Sequence, residues 1–279
     1  MKINKSYSDA VKIAKEYYNS PDADNFYLRI WGGEHIHIGI YQSDGESIAD
    51  ASHRTVQHIA SHLNLTQNIR VLDIGAGFGG ASRFLANMYG YQVVALNLSE
   101  IENERHRHIN KTRNLDQLIE VIDASFEEIP YPDQTFDLVW CQDALLHSSN
   151  HIQVFQEVNR VLTSGGDFIF TDPMQADNCP EGVLQPILDR IHLDSLGSPR
   201  AYRVAAQCVG MEEIGFDELT PHLVIHYSRI LHETEKQENN LEKFVSHDYI
   251  VNMKRGLQYW IDGGKKDYLV WGIFHFRKN

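Results

Sequence analysis

The chain has 279 residues, 42% of them hydrophobic, and a formal net charge of -13. That length supports one large domain, or a domain with an added cap, around an ample core. The acidic balance argues against a nucleic-acid partner or an anionic membrane surface, because phosphate binding needs a basic face. No apolar run reaches the roughly 18 residues of a membrane span. The N-terminal MKINKSYSDAVKIAKEYYN lacks the apolar block of a signal peptide, so a soluble cytoplasmic protein is expected. Cys141, Cys179 and Cys208 are far apart and form neither a metal-type pair nor a disulfide framework.

In chain order, SDAVKIAKEYYN and IADASHRTVQHIASHL carry helical periodicity. Between them ADNFYLRIWGGEHIHIGIYQSDGE, rich in aromatics and glycine, reads as a loop or lid. Residues 1–68 are therefore expected to form an N-terminal cap or lid. From residue 69 to 279 the pattern is that of one catalytic domain. Short strands at IRVLDIG, YQVVALNL, LIEVIDAS, FDLVWCQDA and GDFIFTDPM alternate with helices at GGASRFLANMYG, EIENERHRHINKTRNL and HIQVFQEVNRVLTSGG. Such alternation predicts an α/β fold, a mostly parallel sheet with helices on both faces. Cap helices are expected over about 175–209 and 221–263, with strands at MEEIGFDEL and YLVWGIFHFRKN. Ligands of such folds lie at the carboxyl ends of the strands.

VLDIGAGFGG places Gly75, Gly77 and Gly80 in G-x-G-x-x-G spacing after a strand and before a helix. Alone that spacing is weak, since many such runs are ordinary turns. Asp73 shifts the balance. A carboxylate beside the glycines would repel a pyrophosphate but suits a ligand bearing an amino group. Asn97 stands at the end of the second strand, where dinucleotide folds usually carry an acidic residue for the ribose. Asp123, Ala124, Ser125 and Phe126 end the third strand, a carboxylate for an adenine amino group beside an apolar neighbour for its ring. In this order and spacing the residues resemble class I S-adenosylmethionine-dependent methyltransferases. The resemblance implies a Rossmann-like, seven-stranded sheet ending in an antiparallel hairpin, with N- and C-terminal helical caps.

The likeness narrows along YYNSPDADNFYLRIWGGEHIHIGIY, LNLSEIENER, QDALLHS, TDPMQADNCPEGVLQPILDRIHLDSLGS, NMKRGLQYWIDGG and WGIFHFRK. These stretches look like the sarcosine/dimethylglycine N-methyltransferases that make glycine betaine. The resemblance covers nearly the whole chain. It implies S-adenosylmethionine as cofactor and a small amino-acid substrate, with in-line methyl transfer to dimethylglycine and also to sarcosine. The cofactor pattern carries over to Gly75, Ala76 and Gly77 at the methionine part. Asn97 and Leu98 fall at the ribose and adenine, with Asp123, Ala124, Ser125 and Phe126 beyond them. Gln142 falls at the cofactor ammonium, and His147 borders the cofactor. Glu102 stands where relatives often carry glutamine, and Tyr18 and Trp31 would close over the cofactor.

Chemistry adds expectations for the substrate. A quaternary ammonium product suits aromatic faces, and a carboxylate suits a bidentate arginine. Candidate walls are Tyr18, Tyr27, Trp31, Tyr202, Tyr227 and Trp260. Candidate clamps are Arg29, Arg54, Arg190, Arg203, Arg229 and Arg255, with Arg203, beside Tyr202, preferred. Asp172, Pro173 and Met174 are expected to floor the pocket. His147 is the candidate catalytic group, to deprotonate the amine or orient it. EHIHIG and ERHRHIN have metal-like spacing but no further ligand cluster, and the reaction needs no metal. A monomer or a dimer is compatible with the sequence. Other readings are a methyltransferase for another small amine or for a carbon acceptor of sterol or tocopherol type, a cofactor-binding protein without catalysis, and a nicotinamide oxidoreductase, which Asp73 disfavours.

Overall fold

The computed structural model describes residues 9–64, 68–191 and 193–279. Seven strands form the sheet: β1 (Arg70–Ile74), β2 (Gln92–Asn97), β3 (Ile119–Asp123), β4 (Phe136–Gln142), β5 (Leu162–Gln175), β6 (Met211–Glu218) and β7 (Leu269–Lys278). Their order is β3-β2-β1-β4-β5-β7-β6. The first five pair in parallel, and β7 runs antiparallel to both β5 and β6. This is the Rossmann-like architecture with its single antiparallel element at one edge. The strand order reverses between β1 and β4, so a crevice opens beyond their carboxyl ends.

Both faces of the sheet are covered, which is why its strands read as apolar runs rather than alternating ones. One face packs Leu72, Val139, Phe168 and Phe170 against α6 (His151–Val161) and α8 (Pro199–Cys208). The other packs Val71, Leu138, Trp140 and Ile273 against α3 (Ile48–Ser61) and α4 (Gly80–Tyr89). Next to β2 and β3 lies α5 (Glu100–Thr112), capped by Ser99, whose hydroxyl accepts from Glu102 N.

Outside the sheet lie α1 (Asp9–Tyr18), α2 (Pro21–Ile30), α7 (Gln185–Ile191), α9 (Thr220–Lys236), α10 (Glu238–Leu241) and α11 (His247–Lys265). The stretch expected as a loop or lid is half helix. Ser20 caps α2, accepting from Ala23 N at 3.1 Å, and Pro21 opens it with Asp22 and Asp24 in its first turn. These are helix-start signals. The aromatics obscured them: Phe26, Ile30 and Trp31 share a buried face against α9 and α11. Residues 34–41 remain an irregular strap. The LTSGG segment, expected to end a helix, instead opens β5 after α6 stops at Val161. Among its described residues the 175–209 stretch holds two helices with loops, and the 221–263 stretch holds three helices. No helix among the described residues is long and apolar enough to cross a membrane.

A buried polar knot joins β5 to the core. Asp172 accepts from the Tyr202 hydroxyl at 2.6 Å and from Leu146 N at 3.0 Å. Both side chains are fully buried. Removing the phenol hydroxyl would leave a carboxylate oxygen short of a donor where water cannot replace it. Tyr202→Phe is expected to lower the unfolding free energy by about 1–3 kcal/mol, read from the urea midpoint at unchanged m-value.

Candidate active site

Beyond β1 the chain turns through Gly75 (φ +72°) and Gly77 (φ +50°). Both lie in the left-handed region that glycine adopts without strain. Gly75 N and Ala76 N both donate to Leu96 O, tying the turn to β2. The later glycines serve packing: a Cβ on Gly79 would meet the His106 ring, and one on Gly80 the His35 ring. Asp73 is buried and accepts from the Ser82 hydroxyl at 2.6 Å, and burial pushes its carboxyl up to about 6.

A cleft runs over this turn, along the ends of β1, β2 and β4. Gly75, Gly77, Asn97 and Leu98 line it on one side. Ala124, Phe126, Gln142 and His147 line the other, and Tyr18 closes it from α1. Glu102 reaches in from α5 and accepts from Asn97 Nδ2 at 2.8 Å. Burial pushes the Glu102 carboxyl up to about 7. Gln142 has its Oε1 engaged by Trp140 Nε1 at 3.0 Å, while its buried Nε2 has no partner. Asp73 and Ala76 line a small adjoining hollow under the strap. Asp123 stands half-exposed at the end of β3, held by Asn103 at 2.6 Å and Arg107 at 3.1 Å. Ser125 is buried and accepts from Glu127 N.

Behind the cleft lies a cavity of about 390 Å³. Cleft and cavity share Ala14, Tyr18, Ile36, Asp143 and His147, so the two spaces meet there. At the joint the Tyr18 hydroxyl lies 2.9 Å from His147 Nε2. Burial, and then the nearby Arg190, push His147 down to about 4, which leaves it a neutral imidazole near pH 7. Tyr27, Trp31, Tyr227 and Trp260 wall the cavity, with ring centroids 4.9 Å apart for Tyr27–Trp31 and 5.4 Å for Tyr227–Trp260. Pro173 also reaches the cavity wall.

Arg190 enters the cavity from α7 but does not line the cleft. No carboxylate pairs with it among the described residues. Burial opposes its charge, yet Tyr17, Tyr27, Tyr249 and Tyr227 more than offset this and hold it above the ordinary range. Its room comes from Gly256 on α11, where a Cβ would collide with the Arg190 side chain. Two further cavity groups are buried without partners, Trp31 Nε1 and His226 Nε2.

Four residues expected at the substrate lie elsewhere. Tyr202 and Met174 are in the hydrophobic core, and Asp172 is consumed by Tyr202 and Leu146 N. Arg203 sits on the exposed face of α8, paired with Glu213 at 2.9 Å and stacked over Phe216 and Phe274. Sequence proximity to Tyr202 misled, because helical neighbours point in different directions. Two features were missed. Asp143, directly after Gln142, accepts from Ile38 N at 2.7 Å and from Trp271 Nε1 at 2.8 Å. The strap residues Ile36 and His37 also line the cavity. The only sequence signal for either was a carboxylate at a strand end.

The fold and the cleft at its strand ends define a class I methyltransferase. A family model described as a methyltransferase domain matches residues 72–170. The sarcosine/dimethylglycine N-methyltransferase of Halorhodospira halochloris is 57% identical over 98% of both chains. Its counterpart in Aphanothece halophytica is 51% identical over 97% of this chain and 99% of its own. A crystal structure assigned to a sarcosine dimethylglycine methyltransferase of Galdieria sulphuraria superposes with TM-score 0.90 at 41% identity, over 94% and 99% of the two chains. The chain belongs to the sarcosine/dimethylglycine N-methyltransferase family, and it is a methyltransferase.

The Glu102 carboxyl yields a pH test. Its folded-state pKa lies above the ordinary value of 4.5. The stability it contributes is therefore full below about pH 4.5 and lost as pH rises through about 7. Glu102→Gln keeps an acceptor for Asn97 without that penalty. Relative to the parent, the variant is expected to gain about 2–3 kcal/mol of stability between pH 5 and pH 8. Urea unfolding at the two pH values reads the difference.

Proposed function

We propose that this protein methylates dimethylglycine to glycine betaine, and also sarcosine to dimethylglycine with one proton released to solvent, with S-adenosylmethionine as methyl donor. The observation that carries this reading is the joint between two spaces. A cleft with nucleoside-type polar groups opens, past Tyr18 and His147, onto an aromatic cavity holding a guanidinium with no carboxylate partner among the described residues. The names and near full-length coverage of the relatives point the same way.

The cleft residues fit the cofactor. Asn97 and Glu102 offer acceptors for ribose hydroxyls, and Leu98, Ala124 and Phe126 offer apolar faces for adenine. Asp123 stands next to Ala124 with a carboxylate for the adenine amino group. Asp73 brings negative charge, and Gln142 an unspent donor, to the glycine turn. When bound, S-adenosylmethionine supplies a methyl group on a sulfonium, already activated.

The chain's own work is alignment and exclusion of water. Arg190 takes the substrate carboxylate as a charge-assisted pair, and Trp31 Nε1 and His226 Nε2 are further donors within the same wall. Tyr18 and His147 then flank the amine at the joint. Burial and Arg190 keep the His147 imidazole neutral, and its Nε2 fixes the Tyr18 hydroxyl. Selection of the free-base amine falls to electrostatics, since the guanidinium disfavours an ammonium beside it. Aromatic faces accommodate the quaternary product. A carbon acceptor of sterol type fits less well, because an apolar ligand would leave Trp31 Nε1 and His226 Nε2 buried without partners and Arg190 without a counter-charge. The cofactor and substrate are both metabolites of the cytoplasm, where the reading sets this enzyme.

The test is a substrate panel with glycine, sarcosine and dimethylglycine, each product quantified with S-adenosylhomocysteine. Betaine from dimethylglycine is expected; turnover with none of the three would sink the reading. Arg190→Ala is expected to raise the dimethylglycine KM at least about 30-fold, as for a buried charge pair losing one partner. Its cofactor Kd should stay within about twofold, since Arg190 does not line the cofactor cleft. Arg203→Ala should leave both constants near the parent values. Equal loss of both constants in Arg190→Ala would remove the clamp assignment.

A further inference from the structure

Away from the cleft, helix α3 meets the sheet edge. His58 lies in the last turn of α3 and His62 at its C-cap. Four residues apart, they occupy one helical face. Opposite stands Asp217 on β6, the edge strand of the sheet. His58 Nε2 lies 2.9 Å, and His62 Nε2 3.6 Å, from the same oxygen, Asp217 Oδ2. The three donor atoms lie within 4.8 Å of one another.

We propose that His58, His62 and Asp217 form a binding site for a divalent transition metal of the zinc type, clipping α3 to β6. Zinc binds histidine nitrogen and carboxylate oxygen at about 2.0–2.2 Å, so neighbouring donors of a tetrahedral ion stand about 3.3 Å apart. The spacings here bracket that value, and side-chain adjustments of well under a turn of helix admit the ion. Two imidazoles and one carboxylate favour zinc, cobalt, nickel or copper over the oxygen-seeking magnesium and calcium. The side chains are 38%, 33% and 38% exposed, which gives an ion access and leaves water the fourth position. Among the described residues no lysine or arginine pairs with Asp217, so its charge is not already spent. Two more histidines stand close, but both are engaged: His222 Nδ1 accepts from Tyr41 N, and His275 Nε2 bonds Asp167.

The position gives the clip a consequence. Helix α3 carries the strap that covers the cleft, through Ser52 donating to His37 O and Thr55 donating to Ile38 O. An ion joining α3 to β6 would anchor the cap to the sheet at a point remote from the reacting groups. This inference stands apart from the substrate assignment, since its readout is metal binding.

The test uses the full chain, stripped with chelator and titrated with Zn²⁺ by calorimetry and with Co²⁺ by visible absorption. One saturable ion per chain is expected, with a Co²⁺ d–d band and a Zn²⁺-dependent rise in Tm. His62→Gln and Asp217→Asn should each weaken binding by at least about tenfold, no less than the loss of an outer-shell partner costs. Both should also abolish the Tm rise. Because these side chains are partly exposed, folding of the variants can be verified by their metal-free Tm. Absence of saturable binding would overturn the proposal. Binding of equal strength in parent and both variants would also overturn it, by assigning the ion to other residues.

Discussion

The strap, the cleft and the cavity hang together on one half-buried carboxylate. Asp143 follows β4 with φ +49°, a conformation that a non-glycine residue adopts only at a cost. Its N–H donates to Thr171 O on β5. Its side chain accepts from Ile38 N of the strap and from Trp271 Nε1 of β7. A buried anion is tolerable only when its oxygens find donors. Here those donors come from two distant parts of the chain, the strap and β7. Were the strap to lift, Asp143 would lose a partner and Ile38 N would lose its acceptor, so the cap is bound to the sheet by mutual need. The strap then carries Ile36 and His37 onto the glycine turn and the cavity wall. Strain at Asp143 thus accompanies the closing of the site.

Charge inside the cavity follows from this arrangement. Of the two acidic residues on its wall, Glu16 is exposed and Asp143 is already committed to Ile38 and Trp271. The cation, Arg190, has no carboxylate partner among the described residues. The balance favours a ligand that brings its own carboxylate and arrives without a proton on nitrogen. The weakly basic His147 fits the same logic. An enzyme that transfers a methyl from sulfonium to a tertiary amine moves positive charge rather than creating it. With Asp143 committed to Ile38 N and Trp271 Nε1, aromatic walls serve that transfer better than a free anion, which would hold substrate ammonium and product alike.

The sheet was legible in the sequence because each strand is a local pattern. Buried parallel strands read as apolar runs, and the helices between them carry their own period. The glycine turn was legible for the same reason, although its glycines divide between backbone conformation at Gly75 and Gly77 and packing at Gly79 and Gly80. The cap was less legible. Its second helix buries aromatics against α9 and α11, partners about two hundred residues away. That burial gave its sequence the look of a lid. The LTSGG segment failed for another reason. Its glycines resembled a helix stop, yet β5 starts there with a register shift against β4 between Phe136 and Leu138.

The choice between Arg190 and Arg203 illustrates where local reading ends. Both follow β5 and both sit on short helices. Arg203 finds Glu213 and two aromatic rings on the surface, so its charge is satisfied away from the cavity. Arg190 reaches inward because Gly256 on α11 leaves space for its side chain, and because tyrosines from α1, α2, α9 and α11 surround it. The residue that decides its direction is therefore a glycine 66 positions further on, with no chemistry of its own. A side chain at position 256 would push the guanidinium from the wall and leave the cavity without a counter-charge for a carboxylate. Specificity in this fold is set by what the cap omits as much as by what it presents.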